Sequence, residues 1–139
     1  MERTDIRVIY GDTHRMGVVY YANYLRYFEA ARNEFVRAKG LRYRDLEEVH
    51  GLQLPVAEAQ VSYVSPARYD DLITVEISLA ELRRASARFG YRVVRGPDLL
   101  ATGSTLHACV DGEGRIRRLP PEVRQRLTSG ETPLEHPKG

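Results

Sequence analysis

The sequence predicts a single α+β domain in which a curved antiparallel sheet wraps around one long helix. Residues 22–39 carry apolar side chains at helical spacing, whereas nearly all of the chain after Gly51 alternates with the period of a β-strand. The length of 139 residues fits one domain. A single helix of that length needs a broad apolar surface, which a strongly curved sheet supplies, so the class is α+β.

The long helix is predicted over residues 22–39, about five turns. Its apolar face recurs at steps of three and four residues and consists of Leu25, Phe28, Ala31, Phe35 and Val36. Gly40 is a suitable stop for this helix. Two short helices are also predicted, one over residues 44–50 and one over residues 122–127 behind a Pro-Pro pair.

Five strands are predicted, separated by turns that contain Gly or Pro. The first covers residues 6–10 and precedes the long helix in the chain. The other four follow the helix and cover residues 56–64, 72–82, 88–94 and 99–110. In the third of them, alternate side chains from Ile73 to Leu79 are apolar and face one side. An open sheet of five strands leaves two bare edges, so a dimer that continues the sheet across two chains is expected.

Composition and charge argue against several classes of function. The net charge is only +2 and Arg is interleaved with Asp and Glu, so nothing favours nucleic-acid binding. No His/Cys cluster has zinc-ligand spacing, so no metal is expected. No apolar stretch approaches the ~20 residues of a membrane span, and the charged start of the chain does not resemble a signal peptide. We therefore expect a cytoplasmic protein without a membrane span.

Two smaller expectations concern a single residue and the end of the chain. Cys109, the only cysteine, lies in an apolar run, so a buried and inert thiol is expected. Residues 128–139 are rich in Pro, Gly and charge, and we expect them to form a disordered tail behind a single domain of residues 1–127.

Two stretches of the chain carry a recognisable motif. The first is DTHRMGVVYYANYLRYFE at residues 12–29, and the second is YVSPARYDD at residues 63–71. They resemble the 4-hydroxybenzoyl-CoA thioesterase family, and in particular its branch of Tol-Pal-associated acyl-CoA thioesterases. The resemblance extends from about Arg7 to Leu119. It implies the hotdog fold, in which a five-stranded antiparallel sheet wraps around one long helix.

The resemblance also implies an activity and an assembly. The protein would be an acyl-CoA thioesterase, with coenzyme A as part of the substrate and no separate cofactor. It would form a homodimer or a dimer of dimers (a homotetramer), with active sites at subunit interfaces near the start of the helix. In this family a loop aspartate is the nucleophile or general base. A backbone N–H in the first helical turn, here at about Tyr21, polarises the thioester carbonyl.

His14 stands where the family carries its aspartate. An imidazole cannot form the mixed anhydride that a nucleophilic carboxylate could, so covalent carboxylate catalysis is excluded at this position. An unperturbed imidazole, with a pKa of ~6.5, can deprotonate water near neutral pH. If the stretch is extended, Asp12 shares a face with His14 and could orient it. Alternatively, His14 only fills the pocket and catalysis is weak or lost.

Other residues are assigned to the site with open alternatives. Gly17 would let the backbone and the acyl chain approach closely, or it would serve only the turn. The Tyr21 phenol could contact the substrate or line the pocket, and Asn23 could hold the loop or a water, or cap the helix. Glu29 is a reserve carboxylate, with a buried ion pair as its alternative. The contacts predicted for coenzyme A are Ser65, Arg88, Arg117 and Arg118. The alternative for the arginines near residue 117 is a solvated strand edge whose charges discourage edge-to-edge pairing.

The main alternative function is a non-catalytic acyl-CoA or acyl-carrier binding protein, because a fold does not fix a function. A hotdog dehydratase also uses histidine, but the glycine–proline pattern typical of those enzymes is absent around His14. The acyl group is left open, since an aryl pocket and ordinary core packing both explain the aromatic set Tyr20, Tyr21, Tyr24, Phe28 and Tyr63.

Overall fold

The structure is a computed structural model, and it describes residues 1–130. Its helices are α1 Asn23–Ala38, α2 Tyr43–His50 and α3 Pro121–Thr128. Its strands are β1 Glu2–Arg7, β2 Leu52–Gln53, β3 Val56–Tyr63, β4 Leu72–Leu82, β5 Ser86–Arg95, β6 Asp98–Ala108 and β7 Val110–Asp111. Residues 131–139, most of the predicted tail, lie outside the described residues, so the prediction of disorder there stays a prediction.

Five strands form one antiparallel sheet in the order β1-β4-β5-β6-β3, with α1 packed against it. The predicted α+β fold, a five-stranded antiparallel sheet with one long helix, is confirmed. The inner face of β4, from Ile73 to Leu79, consists of side chains that are at most 1% exposed. Burial of each such side chain stabilises the fold by about 1.5–3 kcal/mol.

The helix and the sheet meet most closely at Phe28. Its ring stacks on Tyr91 of β5 with 4.2 Å between the ring centroids. On β6 the facing residue is Gly103, where an added Cβ would lie 2.5 Å from the Phe28 ring and 2.5 Å from the carbonyl oxygen of Gln60. Only glycine therefore lets α1 and the sheet approach this closely.

A buried polar chain joins the middle of α1 to the sheet. The Arg32 Nη1 donates to the Tyr91 hydroxyl at 3.1 Å, and this hydroxyl lies 2.6 Å from Thr105 Oγ1. Thr105 Oγ1 in turn lies 2.9 Å from His107 Nε2, and His107 Nδ1 lies 2.9 Å from the carbonyl oxygen of Leu54. Because a carbonyl can only accept, Nδ1 of His107 carries a proton, and burial, which lowers the pKa of His107 to about 4, keeps the ring neutral. Every donor along the chain then points from Arg32 towards Leu54.

Several predicted boundaries were wrong, each for a local reason. The first strand is Glu2–Arg7 rather than residues 6–10, because its half-buried face mixes the polar Glu2 and Thr4 with Ile6 and so hides the period of two. The last predicted strand breaks at Cys109, and β7 pairs instead with β2 in a small second sheet. Strands of two residues carry too short a pattern to be predicted.

Two smaller expectations can be compared with the structure. Cys109 is fully buried, as predicted, and burial raises the pKa of its thiol, which keeps the sulfur protonated. Within residues 1–130, no helix is both long enough and apolar enough to cross a membrane.

Candidate active site

The loop between β1 and α1 is folded onto the start of the helix by the backbone of Asp12. The carbonyl oxygen of Asp12 accepts from the Tyr20 N–H at 3.0 Å and from the Asn23 side-chain amide at 2.8 Å. The structure assigns no side-chain cap to the start of α1, where Ala22 is the cap residue. Of the alternatives for Asn23, the geometry therefore favours holding the loop over capping the helix.

The Asp12 carboxylate is buried against α1. The Asp12 side chain is only 4% exposed. Its Oδ1 forms an ion pair with Arg26 Nη2 at 3.0 Å, and its Oδ2 accepts from the Tyr27 hydroxyl at 2.9 Å. Burial and the neighbouring carboxylate together raise the pKa of the Tyr27 phenol, so this donor stays protonated. Asp12 thus fixes the loop to the helix.

This geometry does not favour the expectation that Asp12 orients His14. The stretch between them is extended as the expectation required, since Thr13 and His14 both have β-region dihedral angles. The Asp12 carboxylate, however, is held at α1 by Arg26 and Tyr27, while His14 is exposed. The His14 ring packs edge-on against Tyr20, with 5.6 Å between the ring centroids. His14 is therefore positioned by an aromatic neighbour and by its own backbone, whose N–H donates to the Val18 carbonyl at 3.2 Å.

The loop contains a second tight turn, Arg15–Gly17, which has two consecutive left-handed residues. Met16 has φ +73° and Gly17 has φ +71°. At Gly17 this conformation explains the glycine, whereas at Met16 it is strained. No atom lies within 4 Å of the place where a Cβ on Gly17 would be. Both interpretations of Gly17 are therefore compatible with the structure, since the turn requires the glycine and the space beside it is open.

The turn that leads into α1 leaves two backbone donors unengaged. The N–H groups of Asn23 and Tyr24 bond back to the carbonyls of Tyr20 and Tyr21 at 2.9 and 3.2 Å. Within residues 1–130, no acceptor is found for the N–H groups of Tyr21 and Ala22. The unpaired N–H groups and the partial positive charge of a helix start attract an oxyanion. The donor predicted at about Tyr21 fits this geometry.

A cavity of about 260 Å³ opens beside this turn. Aromatic side chains form much of its wall: the Tyr63 ring lies 6.2 Å from that of Tyr21 and 5.3 Å from that of Tyr24. The full lining is Val19, Tyr21, Tyr24, Tyr63, Val64, Ser65 and Pro66. Of the aromatic set considered above, Phe28 is instead fully buried in the core. The cavity has the apolar walls and the few polar atoms typical of a small-molecule site.

The cations predicted for coenzyme A are not equivalent. Arg88 pairs with Glu58 at 3.3 Å and Arg117 pairs with Asp111 at 2.9 Å. Arg118 has no acidic partner among residues 1–130.

Two further arginines join Arg118 around a cavity of about 400 Å³, which we call the arginine cavity. Its lining is Arg84, Arg118, Leu119, Pro120, Pro121 and Arg124. Arg84 follows β4, and Arg124 lies on α3. No pattern in the sequence predicts this grouping, because Arg84 is distant along the chain from residues 118–124.

Glu29 does not form the buried ion pair that was its alternative, because it is exposed on α1. The buried ionic group of that helix is Arg32, which is 9% exposed and bonds to the Tyr91 hydroxyl. Nothing in the geometry places Glu29 beside the unengaged N–H groups.

Known proteins resemble this chain over most of its length. Residues 8–127 match the family described as the thioesterase-like superfamily. The acyl-CoA thioesterase YbgC of Haemophilus influenzae is 36% identical over 120 residues, which cover 86% of this chain and 88% of that protein. A hypothetical protein from Thermus thermophilus has a solved structure with a TM-score of 0.87 and 38% identity, covering 93% and 98% of the two chains. A 4-hydroxybenzoyl-CoA thioesterase in complex with 4-hydroxybenzoyl-CoA has a TM-score of 0.82 and 26% identity, covering 91% and 97%.

A five-stranded antiparallel sheet on one long helix, with a polar loop folded onto the helix start, defines a hotdog protein. The chain belongs to the thioesterase-like superfamily. The predicted resemblance to the 4-hydroxybenzoyl-CoA thioesterases, and to their acyl-CoA thioesterase branch, is thereby confirmed.

Proposed function

We infer that the protein is an acyl-CoA thioesterase, which hydrolyses a coenzyme A thioester to a free acid and coenzyme A. One observation carries this conclusion. The unengaged N–H groups of Tyr21 and Ala22 lie at a helix start beside an open cavity. In a chain of the thioesterase-like superfamily, these two donors would polarise the thioester carbonyl.

The helix start would stabilise the charge that develops on the carbonyl oxygen. Attack on a thioester converts this oxygen into an oxyanion, which the N–H groups of Tyr21 and Ala22 would bind. A preorganised donor of this kind contributes about 3 kcal/mol to transition-state stabilisation. The bonds that fix Asp12 to Tyr20 and Asn23 support this role, because they hold the first turn in place before the substrate arrives.

We propose that His14 is the general base for the attacking water. The water oxygen would bond to the carbonyl carbon while the imidazole takes a proton. The oxyanion would then collapse and expel the sulfur of coenzyme A, which takes the proton from the imidazolium. The exposure of His14 on the loop that faces the helix start supports this role. Since the Asp12 carboxylate is engaged elsewhere, no carboxylate is assigned to orient this base.

The phosphates of coenzyme A are assigned to the arginine cavity. Arg118 and Arg84 have no acidic partner in the described part of the chain, so their charge is available to a phosphate. Arg117 and Arg88 are already paired with carboxylates, which makes them weaker candidates than the sequence suggested. Ser65 lines the aromatic cavity and stays a candidate for a polar contact with the substrate.

A second copy of the chain is the proposed partner, at the edge strand β3. Strand β3 lies at the edge of the sheet and pairs on one side only, with β6. All its residues are exposed except Val61, which is half-buried. An unpaired edge of eight residues is suited to continuing the sheet into a partner. We propose a homodimer formed in this way, with a dimer of dimers as the larger assembly, in the cytoplasm. Light scattering that finds a folded monomer at micromolar concentration would contradict it.

The second candidate function is a non-catalytic acyl-CoA binding protein, which is favoured by the replacement of the family aspartate at His14. A thiol-release assay with aliphatic and aryl CoA thioesters separates the two. An enzyme releases free thiol, with a turnover of roughly 1 s⁻¹ or faster on its preferred acyl group. A binding protein gains thermal stability from the same thioesters but releases no thiol.

A further inference from the structure

We propose that Tyr63 is a positioning residue for the oxyanion-binding peptide, an assignment that rests on the proposed function. Tyr63 lies at the end of β3, and its hydroxyl donates to the carbonyl oxygen of Tyr21 at 3.1 Å. The two residues are 42 positions apart in the chain. This bond links the edge strand of the sheet directly to the first turn of α1.

The bonded carbonyl belongs to the peptide that carries one of the two unengaged donors. The C=O of Tyr21 and the N–H of Ala22 are parts of one planar unit, so a bond that fixes the oxygen also fixes the direction of the N–H. A donor on the oxygen further polarises the N–H at the other end of the peptide. Tyr63 would therefore both aim and strengthen the Ala22 donor.

The Tyr63 ring is itself held by its neighbours. It packs edge-on against Tyr24, at 5.3 Å between the ring centroids, and Tyr24 is only 3% exposed. The Tyr24 hydroxyl accepts from the Ala67 N–H at 3.2 Å, which ties this ring to the loop after β3. Burial and the neighbouring Tyr21 raise the pKa of Tyr63, so its phenol keeps the proton that it donates.

The fold does not depend on this hydroxyl. The carbonyl of Tyr21 also accepts from the Tyr24 N–H at 3.2 Å, a bond that closes the first turn without Tyr63. Removal of the hydroxyl should therefore leave the helix in place and loosen only the orientation of the peptide. Because Tyr63 acts through that peptide, the loss should appear in turnover rather than in substrate binding.

The first test is the variant Tyr63→Phe, which keeps the ring and removes the hydroxyl. We expect kcat to fall about 10-fold, less than the 10²–10³ that follows removal of an oxyanion donor. KM should change less than about twofold, since the lost interaction acts in the transition state. Tyr69→Phe is the matched control, because it removes the hydroxyl of a tyrosine that is 54% exposed and does not line the aromatic cavity. This control should keep the wild-type kcat.

A spectroscopic measurement separates positioning from a structural effect. The probe is a non-hydrolysable acyl-CoA analogue in which the thioester sulfur is replaced by CH₂ and the carbonyl carries ¹³C. In the wild type its C=O stretch should shift to lower frequency on binding, and in Tyr63→Phe the shift should be smaller. An equal shift in both proteins, or an unchanged kcat in an active enzyme, would overturn the role of Tyr63. A wild type that releases no thiol would instead overturn the proposed function.

Discussion

The two halves of α1 use polar groups in opposite ways. In the middle of the helix, Arg32 begins the buried polar chain, in which each donor meets an acceptor as far as the Leu54 carbonyl. At the start of the helix, the N–H groups of Tyr21 and Ala22 have no acceptor in the described residues, and the preceding turn holds Met16 at φ +73°. The first region is satisfied and buried, whereas the second is unsatisfied and open.

The difference indicates where stability and function reside. Satisfied buried bonds hold the helix against β5 and β6, and their loss should reduce stability without altering a distant site. Unsatisfied donors and a strained loop cost stability, and they persist because the surrounding bonds of Asp12 hold them in place. Variants in the two regions should therefore separate stability from turnover.

The largest expected effect on stability comes from His107 and concerns pH. Burial lowers the pKa of His107 from 6.5 to about 4. Between these values the unfolded chain binds a proton that the folded chain does not, so the free energy of unfolding falls as the pH drops from 6.5 towards 4. The loss attributable to His107 reaches about 3 kcal/mol at the lower end. Urea unfolding at pH 7.5 and at pH 5 measures the first part of this loss in the free energy of unfolding.

The variant His107→Gln is the control for this slope, because other groups also titrate in acid. Glutamine can donate to the Leu54 carbonyl and accept from Thr105, but it takes up no proton. We expect the variant to lose less stability than the wild type between pH 7.5 and pH 5. Parallel pH dependences in the two proteins would show that the buried chain contributes nothing to the acid sensitivity.

A smaller loss of stability, together with a loss of turnover, is expected for Asp12→Asn. The amide oxygen can still accept from Tyr27, but the amide NH₂ would replace a carboxylate oxygen facing Arg26. We expect the free energy of unfolding to fall by about 2 kcal/mol and kcat to fall about 10-fold or more, because the loop is no longer fixed to the helix start. Denaturant unfolding and thiol release measure the two effects.

Asp45→Asn is the matched control for that variant, since Asp45 pairs with Arg42 on the exposed side of α2. A surface ion pair of this kind contributes little to stability. The free energy of unfolding and the kcat of Asp45→Asn should therefore both stay close to the wild-type values. Equal effects of the two variants would contradict the anchoring role of Asp12.

The sequence predicted the fold well wherever one face of an element is uniformly apolar. Strand β4 was predicted with its observed limits, because its buried face runs without interruption from Ile73 to Leu79. Helix α1 was predicted within one residue at each end, because its apolar side chains recur at helical spacing even though Arg32 is buried among them. Strand β1 was misplaced, because an edge strand tolerates polar residues such as Thr4 on its inner face.

The site was predicted only in part, because contacts distant in sequence decide it. The motif located the loop and the helix start, but no pattern reveals that Arg26 and Tyr27 bind the Asp12 carboxylate. The arginine cavity joins Arg84 to residues 118–124, and the bond from Tyr63 to the Tyr21 carbonyl spans 42 residues. Such contacts depend on tertiary packing and leave no periodic signal.

The smallest effect is expected in the binding of coenzyme A at the arginine cavity. In an Arg84→Ala, Arg118→Ala double variant, the affinity for coenzyme A should fall about 10-fold or more, because two unpaired guanidinium groups are lost. Arg117→Ala is the matched control, since Arg117 is already paired with Asp111. The shift in melting temperature caused by coenzyme A reports the affinity. If the shift is lost in Arg117→Ala instead, the phosphates bind at Arg117 and not in the arginine cavity.

The most direct test of the account is the turnover of His14 variants on the preferred CoA thioester. If His14 is the general base, His14→Ala should lose about 10²-fold or more in kcat while the stabilisation by coenzyme A persists. A His14→Ala variant as fast as the wild type, or a His14→Asp variant that exceeds a slow wild type, would contradict the assignment and show that His14 only fills space.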